Sequence, residues 1–210
     1  MYLWIAALAL FNVALHLAFY NTLGFHRDEL LYFSLGAHPS AGYASVPPLT
    51  GWLAWLMIRV AGSNLFSARL LPALFSGVMV FLASGLTKEL KGNRYAQILA
   101  AVAIVIFPIN LRGFYLFEPV FLDVFFWTLI FWVLLKWINT QQNRWLLFLG
   151  IAVGLGLMNK YTVFLQLFCL FLVIFFTPYR SLFRRRAFWL ATVIAFLIFL
   201  PNIVWQVANG

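Results

Sequence analysis

The chain has 210 residues, of which 65% are apolar and only 9% are charged. Ordinary globular domains are roughly 45–50% apolar and about 25% charged, so this composition excludes a soluble globular domain and predicts an integral membrane protein. The net charge of +9 does not indicate nucleic-acid binding, because Lys and Arg are enriched in the cytoplasmic loops of membrane proteins.

Seven apolar segments predict membrane-spanning helices, because each is bounded by charged residues, Pro or Gly and approaches the length of a span. They cover residues 2–23, 65–86, 95–111, 120–138, 145–158, 162–177 and 188–207. The first lacks the basic start of a cleaved signal peptide, so we interpret it as a retained span. The predicted fold class is all-α, a polytopic transmembrane bundle of about seven spans.

The stretch between the first two segments, residues 24–60, has a different composition. It starts with charged residues, continues through a Gly-, Pro- and Ser-rich part, and ends in a short apolar run. We expect residues 27–37 to form a short helix on the membrane surface and residues 49–60 a second, partly embedded helix. The sequence therefore predicts an interfacial helical loop after the first span.

Basic residues predict the orientation. They concentrate in the loops after the second, fourth and sixth segments, which lie on one side of the membrane if the segments alternate. By the positive-inside rule this side is the cytoplasm, and the N-terminus lies there too. The loop at 24–60 and the turns at 112–118 and 159–161 then lie on the outer face.

Acidic residues are scarce, and four of the five fall at the predicted outer face: Asp28, Glu29, Glu118 and Asp123. A carboxylate near hydrocarbon costs several kcal/mol unless it is paired or hydrated, so an acid there is a candidate functional group. In a helix, Asp28 and Glu29 lie about 100° apart, and Glu118 and Asp123 about 140° apart. Only one member of each pair can therefore face a given cavity.

Three cations, Arg27, Arg112 and Lys160, are predicted at the same outer interface. They could bind a phosphate or pair with the acids. Lys160 is the best candidate of the three, because it follows glycines whose small-xxx-small spacing lets helices approach closely. His26 is a further candidate because it lies beside Asp28.

Several short motifs occur in order from residue 26 to the end of the chain. They are HRDELLY at 26–32, GYASVPPL at 42–49, ARLLPAL at 68–74, FEPVFLD at 117–123, GLGLMNKYT at 154–162 and LPNIVWQ at 200–206. Together they resemble the GT-C glycosyltransferases related to dolichyl-phosphate-mannose protein mannosyltransferases and lipid A aminoarabinose transferases.

The resemblance implies an enzyme that moves a sugar from a polyprenyl-phosphate donor to a hydroxyl of a lipid, glycan or protein. It implies an active site on the periplasmic or outer face of a bacterial inner membrane. By resemblance, Asp28 is the base that takes the acceptor's proton and Glu29 supports it. Glu118 would bind acceptor, metal or Arg112, and Lys160 the donor phosphate. The other candidates for substrate binding are Asp123, Arg112, Arg27 and His26.

Two departures from the family qualify this prediction. Ser45 stands where relatives commonly have an acid that helps hold a metal, and serine is a poor ligand for a hard cation, so a divalent cation is a weak expectation and no other cofactor is expected. Relatives also continue beyond the last segment. We therefore expect residues 1–210 to be the N-terminal part of a longer enzyme, inactive by itself.

Two functions of another class remain as alternatives. A polytopic transporter would place charges near the bilayer midplane on broken helices, where only Asp123 comes near. A non-catalytic membrane scaffold would need no acidic cluster at the outer face.

Overall fold

The computed structural model describes residues 2–209, in which all regular structure is helical and no strand occurs. The helices are α1 (Tyr2–Ala18), α2 (Arg27–Ala37), α3 (Leu49–Ala61), α4 (Leu65–Glu89), α5 (Arg94–Ile106), α6 (Pro108–Gly113), α7 (Pro119–Thr140), α8 (Asn143–Asn159), α9 (Thr162–Phe175), a 3₁₀ helix (Pro178–Arg184) and α10 (Arg186–Asn209). The predicted all-α class is confirmed.

The seven predicted spanning segments all coincide with helices, but they differ in length. Among the described residues, α4, α7 and α10 are each long and apolar enough to cross a membrane. The helix α9 meets that test only together with the 3₁₀ helix, from which it is bent by 110°. The apolar helices α1, α3, α5 and α8 are shorter, with 13 to 17 residues. Length and composition therefore support three spans, or four with the bent pair.

Close helix packing depends on glycine in α8. A Cβ atom added at Gly150 would overlap the carbonyl oxygen of Ala191, and one at Gly154 would lie 2.8 Å from Cβ of Ile198. Both contacts are with α10, so only glycine at these positions allows the two helices to approach this closely. The glycine spacing noted in the sequence thus sets the packing beneath Lys160.

The two helices of the 24–60 loop begin and end almost where the sequence predicts. His26 caps α2, since its Nδ1 accepts a hydrogen bond from the Asp28 amide at 3.3 Å, and the Glu29 carboxylate accepts one from the His26 amide at 2.8 Å. Such a capping box satisfies amides that a helix start leaves free. Gly36 of α2 packs so closely on α3 that an added Cβ would lie 2.7 Å from Cβ of Ala54.

Hydrogen bonds and salt bridges distinguish two ends of the bundle. At what we call the basic end, Lys136 Nζ lies 2.7 Å from Glu89 Oε1 and Lys88 Nζ donates to Tyr2 at 3.3 Å. At the other end, which we call the site end, the 24–60 loop contacts the start of α7, the turn after α8 and the last turns of α10.

Two hydrogen bonds illustrate how the site end is assembled. Thr50 Oγ1 donates to Asn159 Oδ1 at 2.9 Å, and Gln206 Nε2 donates to the carbonyl of Tyr43 at 3.0 Å. The segments predicted to share the outer face therefore meet at one end. Which side of the membrane this end faces stays a prediction.

Candidate active site

Three candidate residues form one cluster at the site end. One ligand atom each of His26, Asp28 and Glu118 lie within 4.8 Å of one another. All three side chains are partly buried. His26 and Asp28 belong to the start of α2, whereas Glu118 comes from the segment before α7, so the cluster joins residues that are 90 positions apart in the sequence.

The local sequence explains why Glu118 is available to the cluster. Pro119 occupies the first turn of α7, where its fixed φ suits a helix start. Glu118 is the N-cap residue, but its side chain makes no capping hydrogen bond. Its carboxylate is therefore free to lie beside Asp28.

Crowding of the two acids changes their electrostatics. Burial and then the neighbouring Asp28 raise the pKa of the Glu118 carboxyl, while His26 and Arg112 act in the opposite direction. Burial, followed by Glu118 and Asp28, also raises the pKa of the Tyr32 phenol. Glu118 therefore holds a proton more tightly than an ordinary carboxyl group, and Tyr32 lies close enough to feel both charges.

Glu29 lies beneath this cluster rather than in it. Its side chain is fully buried and forms a salt bridge with Arg69 of α4, which is 1% exposed. The same Glu29 oxygen accepts a hydrogen bond from the Phe117 amide at 3.0 Å. Arg69 also donates to the backbone carbonyl of Tyr115 at 3.0 Å, and its guanidinium lies 4.2 Å from the centre of the Tyr115 ring.

This buried pair fixes the two acids of the cluster relative to each other. Asp28 precedes Glu29, and Glu118 follows Phe117, so one ion pair holds both backbone segments. A supporting role for Glu29, as expected from the resemblance, is compatible with this placement. Direct proton transfer by Glu29 is not compatible with this placement, because its carboxylate does not reach the surface. Of the two adjacent acids, only Asp28 belongs to the cluster.

Asp123 and Lys160 form a second charged pair at the site end. Lys160 Nζ lies 3.5 Å from Asp123 Oδ2, and Thr162 Oγ1 donates to Asp123 Oδ1 at 2.7 Å. The Asp123 side chain is 17% exposed, whereas that of Lys160 is 40% exposed. Asp123 thus orients the lysine, and the ammonium group remains open to a further anion.

The remaining predicted residues lie around the cluster. Arg27 Nε is 3.2 Å from Asp28 Oδ1, and its side chain is 90% exposed. Arg112 is exposed in α6, and its charge acts on Glu118. Ser45 is exposed. Two roles were predicted for the cations, phosphate binding and pairing with the acids. Arg27 pairs with an acid, Asp28.

Sequence reasoning missed Arg69 and Tyr32 as parts of the site. Arg69 could have been found, because an arginine inside an apolar segment is a candidate for a specific partner. Tyr32 carries no such signal. Its proximity to the acids depends on how α2 packs against the start of α7.

The cluster offers one nitrogen and two carboxylate oxygens, a donor set that suits divalent cations such as Zn²⁺ and Mn²⁺. His26 rather than Ser45 supplies the third group. Because His26 Nδ1 already accepts the Asp28 amide at 3.3 Å, a cation at that nitrogen would compete with the helix cap.

An apolar cavity of about 530 Å³ lies among α7, α8, α9 and α10. It extends from Phe199 and Ile203 near the site end to Leu182 near the basic end. None of the predicted site residues lines it. Its lining is suited to hydrocarbon rather than to a polar group.

Comparison with known proteins identifies the family. The profile of the dolichyl-phosphate-mannose-protein mannosyltransferase family matches residues 45–205. The chain belongs to this family. The matched range contains Glu118, Asp123 and Lys160, whereas Asp28 precedes it. The chain is thus of the membrane glycosyltransferase type, as its motifs indicate.

Two curated relatives come from Rhizobium johnstonii. The lipid A galacturonosyltransferase RgtD is 24% identical over 191 residues, which cover 90% of this chain and 40% of the relative. The lipopolysaccharide core galacturonosyltransferase RgtA is 27% identical over 225 aligned positions, which cover 99% of this chain and 42% of the relative. The chain therefore spans about two fifths of the length of these relatives. No solved structure gives a significant match.

Proposed function

We propose that the chain carries the active site of a glycosyltransferase that moves a sugar from a polyprenyl-phosphate donor to a hydroxyl acceptor at the outer face of a bacterial inner membrane. The observation that carries this proposal is the convergence of Asp28, Glu118 and His26 at the site end, above the buried Glu29–Arg69 pair. Membership of the family supports the reaction type.

In this mechanism Asp28 accepts the proton of the acceptor hydroxyl as its oxygen attacks the anomeric carbon of the sugar. The bond between that carbon and the phosphate oxygen breaks, and polyprenyl phosphate leaves with the electron pair. Lys160 and Arg112 stabilise the negative charge on the leaving phosphate. Glu118 lies beside Asp28, and its carboxylate can accept a hydrogen bond from a second hydroxyl group of the acceptor.

We also propose that His26, Asp28 and Glu118 can hold a divalent cation, which would supply positive charge next to the phosphate. A carboxylate has two oxygens, so Asp28 can offer one to a cation and the other to a proton. Mn²⁺ binding to the purified protein, measured by electron paramagnetic resonance, tests this. We expect Glu118→Gln to weaken binding at least tenfold and Glu89→Gln to leave it unchanged. Equal binding by both variants would contradict the proposal.

The names of the relatives suggest the first substrates to test. By their names, both relatives transfer galacturonosyl groups, RgtD to lipid A and RgtA to the lipopolysaccharide core. We therefore propose a galacturonosyl polyprenyl phosphate as donor and a lipid A hydroxyl as acceptor.

Transfer in proteoliposomes tests the proposed function, measured with the longer enzyme of which residues 1–210 are expected to be the N-terminal part. Asp28→Asn keeps the size of the side chain and removes the base, so we expect a loss of about 10²- to 10⁴-fold in transfer with little change in donor affinity. Glu89→Gln removes an acid at the basic end and is the matched control. Equal loss in both variants, or passage of the intact donor across the membrane without transfer, would overturn the proposal.

The orientation and the seven spans are proposals as well. In a Cys169→Ser background, Ser45→Cys should react with an impermeant maleimide added outside intact cells. Lys91→Cys, in the loop between α4 and α5, should react only after the membrane is opened. The reverse pattern would contradict the predicted topology.

A further inference from the structure

The connection between α9 and α10 lies at the basic end, far from the proposed active site along the bundle. Its 3₁₀ helix, Pro178–Arg184, is bent by 110° from α9. If α9 runs across the bilayer, a segment bent so strongly runs roughly along the membrane surface. This segment is therefore positioned at the level of the lipid headgroups.

Four arginines are concentrated there: Arg180, Arg184, Arg185 and Arg186. Arg185 has a role inside the protein, because its Nη2 donates to Gln141 Oε1 at 2.6 Å and its guanidinium lies 5.3 Å from the centre of the Trp137 ring. Arg185 thus anchors the segment to the end of α7.

The other three arginines are exposed. Within residues 2–209, none of them forms a salt bridge. Glu89, the acid of the basic end, pairs instead with Lys136. Three positive charges therefore lie within residues 180–186 with no counter-ion among residues 2–209, and such a cluster attracts anions at a membrane surface.

A hollow with a partly aromatic lining adjoins Arg180. Phe175, Phe176, Thr177, Pro178 and Arg180 line a cavity of about 710 Å³. Phe176 is 80% exposed and Trp189, in the first turn of α10, is 59% exposed. Tryptophan is enriched where hydrocarbon meets headgroups, and phenylalanine offers a surface for an acyl chain. A free phosphate would use only the arginines, whereas a phospholipid would use the arginines and the aromatic lining together.

We propose that residues 175–189 form a binding site for an anionic phospholipid. The lipid phosphate lies on Arg180, Arg184 and Arg186, and an acyl chain lies along Phe175 and Phe176. The site is separate from the proposed active site and does not depend on the glycosyltransferase function. A second copy of this chain that approached with the same face would bring the same positive charge, which disfavours that contact.

Binding of spin-labelled lipids in nanodiscs tests the proposal. We expect the full chain to prefer phosphatidylglycerol over phosphatidylcholine. Arg180→Gln, Arg184→Gln and Arg186→Gln together should reduce that preference at least about tenfold, because each arginine near an anionic surface contributes roughly fivefold. The matched control replaces three exposed cations elsewhere at the basic end, Lys91, Arg94 and Arg144, by Gln. It removes the same amount of charge but no cation beside the aromatic hollow, so the preference should fall by a clearly smaller factor.

Two further arms separate charge from folding and a lipid from a free phosphate. Replacing the same three arginines by Lys keeps the charge and should leave the preference within about threefold of the original, which also covers the case in which the Gln variant fails to fold. Inorganic phosphate at millimolar concentration should not displace the lipid. Equal loss in both Gln variants, no preference in the unchanged chain, or displacement by phosphate alone would each overturn the proposal.

Discussion

The site end and the basic end treat their acidic residues in opposite ways. At the basic end, Glu89 has Lys136 at 2.7 Å and a hydrogen bond from Asn139 at 2.9 Å. At the site end, Asp28 and Glu118 lie together in one cluster, and burial with this crowding raises the pKa of Glu118. Glu89 is paired with its own cation, whereas Glu118 forms no salt bridge within residues 2–209 and lies beside a second acid, so the site end keeps negative charge that a substrate can use.

The site end can hold this arrangement because a buried ion pair fixes the two backbone segments that carry Asp28 and Glu118. Glu29 and Arg69 form a pair that is almost completely buried, whereas the Lys136–Glu89 pair is 24% and 9% exposed. The comparison therefore predicts that charges at the two ends respond very differently to the loss of a partner.

The largest effect is expected from Arg69→Met. This change leaves the Glu29 carboxylate buried without a cation, which costs about 3–5 kcal/mol of folding free energy. Thermal unfolding in detergent measures it. The double variant Glu29→Gln with Arg69→Met removes both charges and should recover most of the lost stability. No recovery would mean that Arg69 stabilises the fold through its contacts with Tyr115 rather than through Glu29.

A smaller effect is expected at the second charged pair. Lys160→Gln removes the exposed ammonium group beside Asp123, so binding of polyprenyl phosphate should weaken about tenfold. Isothermal titration of the detergent-solubilised protein measures the affinity. Lys136→Gln, at the basic end, should leave this affinity unchanged. A donor affinity that survives the loss of Lys160 would remove this residue from the phosphate site.

The next effect concerns pH. The pKa of Glu118 is raised from its ordinary value of 4.5, so the folded protein binds this proton more tightly than the unfolded chain. The stability contribution of Glu118 therefore falls as the pH rises through 4.5 towards the raised value and stays low above it.

Glu118→Gln removes this dependence. In EDTA at pH 7.5 the variant should melt about 1–2 °C above the unchanged protein, and the difference should vanish near pH 4. A variant that is less stable at pH 7.5 would show that Glu118 is not strained by its neighbours.

The smallest effect is expected from Lys136→Gln at the basic end. Partly exposed ion pairs contribute about 0–1 kcal/mol, so the unfolding temperature should change little. Thermal unfolding under the conditions used for Arg69→Met gives the direct comparison. A loss as large as that of Arg69→Met would erase the distinction between the two ends.

Local signals explain what the sequence predicted well. The helix of residues 27–37 was predicted with the bounds that the structure has, because charge and cap residues mark its start. The separation of Glu118 from Asp123 followed from helix geometry and from the proline between them. Apolar runs located a helix in each of the seven predicted segments, although within residues 2–209 only three helices reach the length of a span by themselves.

The partners of the charged residues could not be predicted from the sequence, because they depend on long-range contacts. The pairing of Glu29 with Arg69 joins residues 40 positions apart, and that of Asp123 with Lys160 depends on α7 lying against α8. No periodicity in either segment specifies such a partner. The position of His26 beside Glu118 depends in turn on how α2 packs against the start of α7.

A double-mutant cycle on Asp28 and Glu118 tests most directly whether the two acids act in one site. Transfer would be measured for Asp28→Asn, Glu118→Gln and both together. If the acids share one site, the double variant should transfer no less than about a third of what Asp28→Asn alone transfers, because the function of Glu118 is lost once Asp28 is gone. Losses that multiply in the double variant would show that the two acids act independently and would contradict the account.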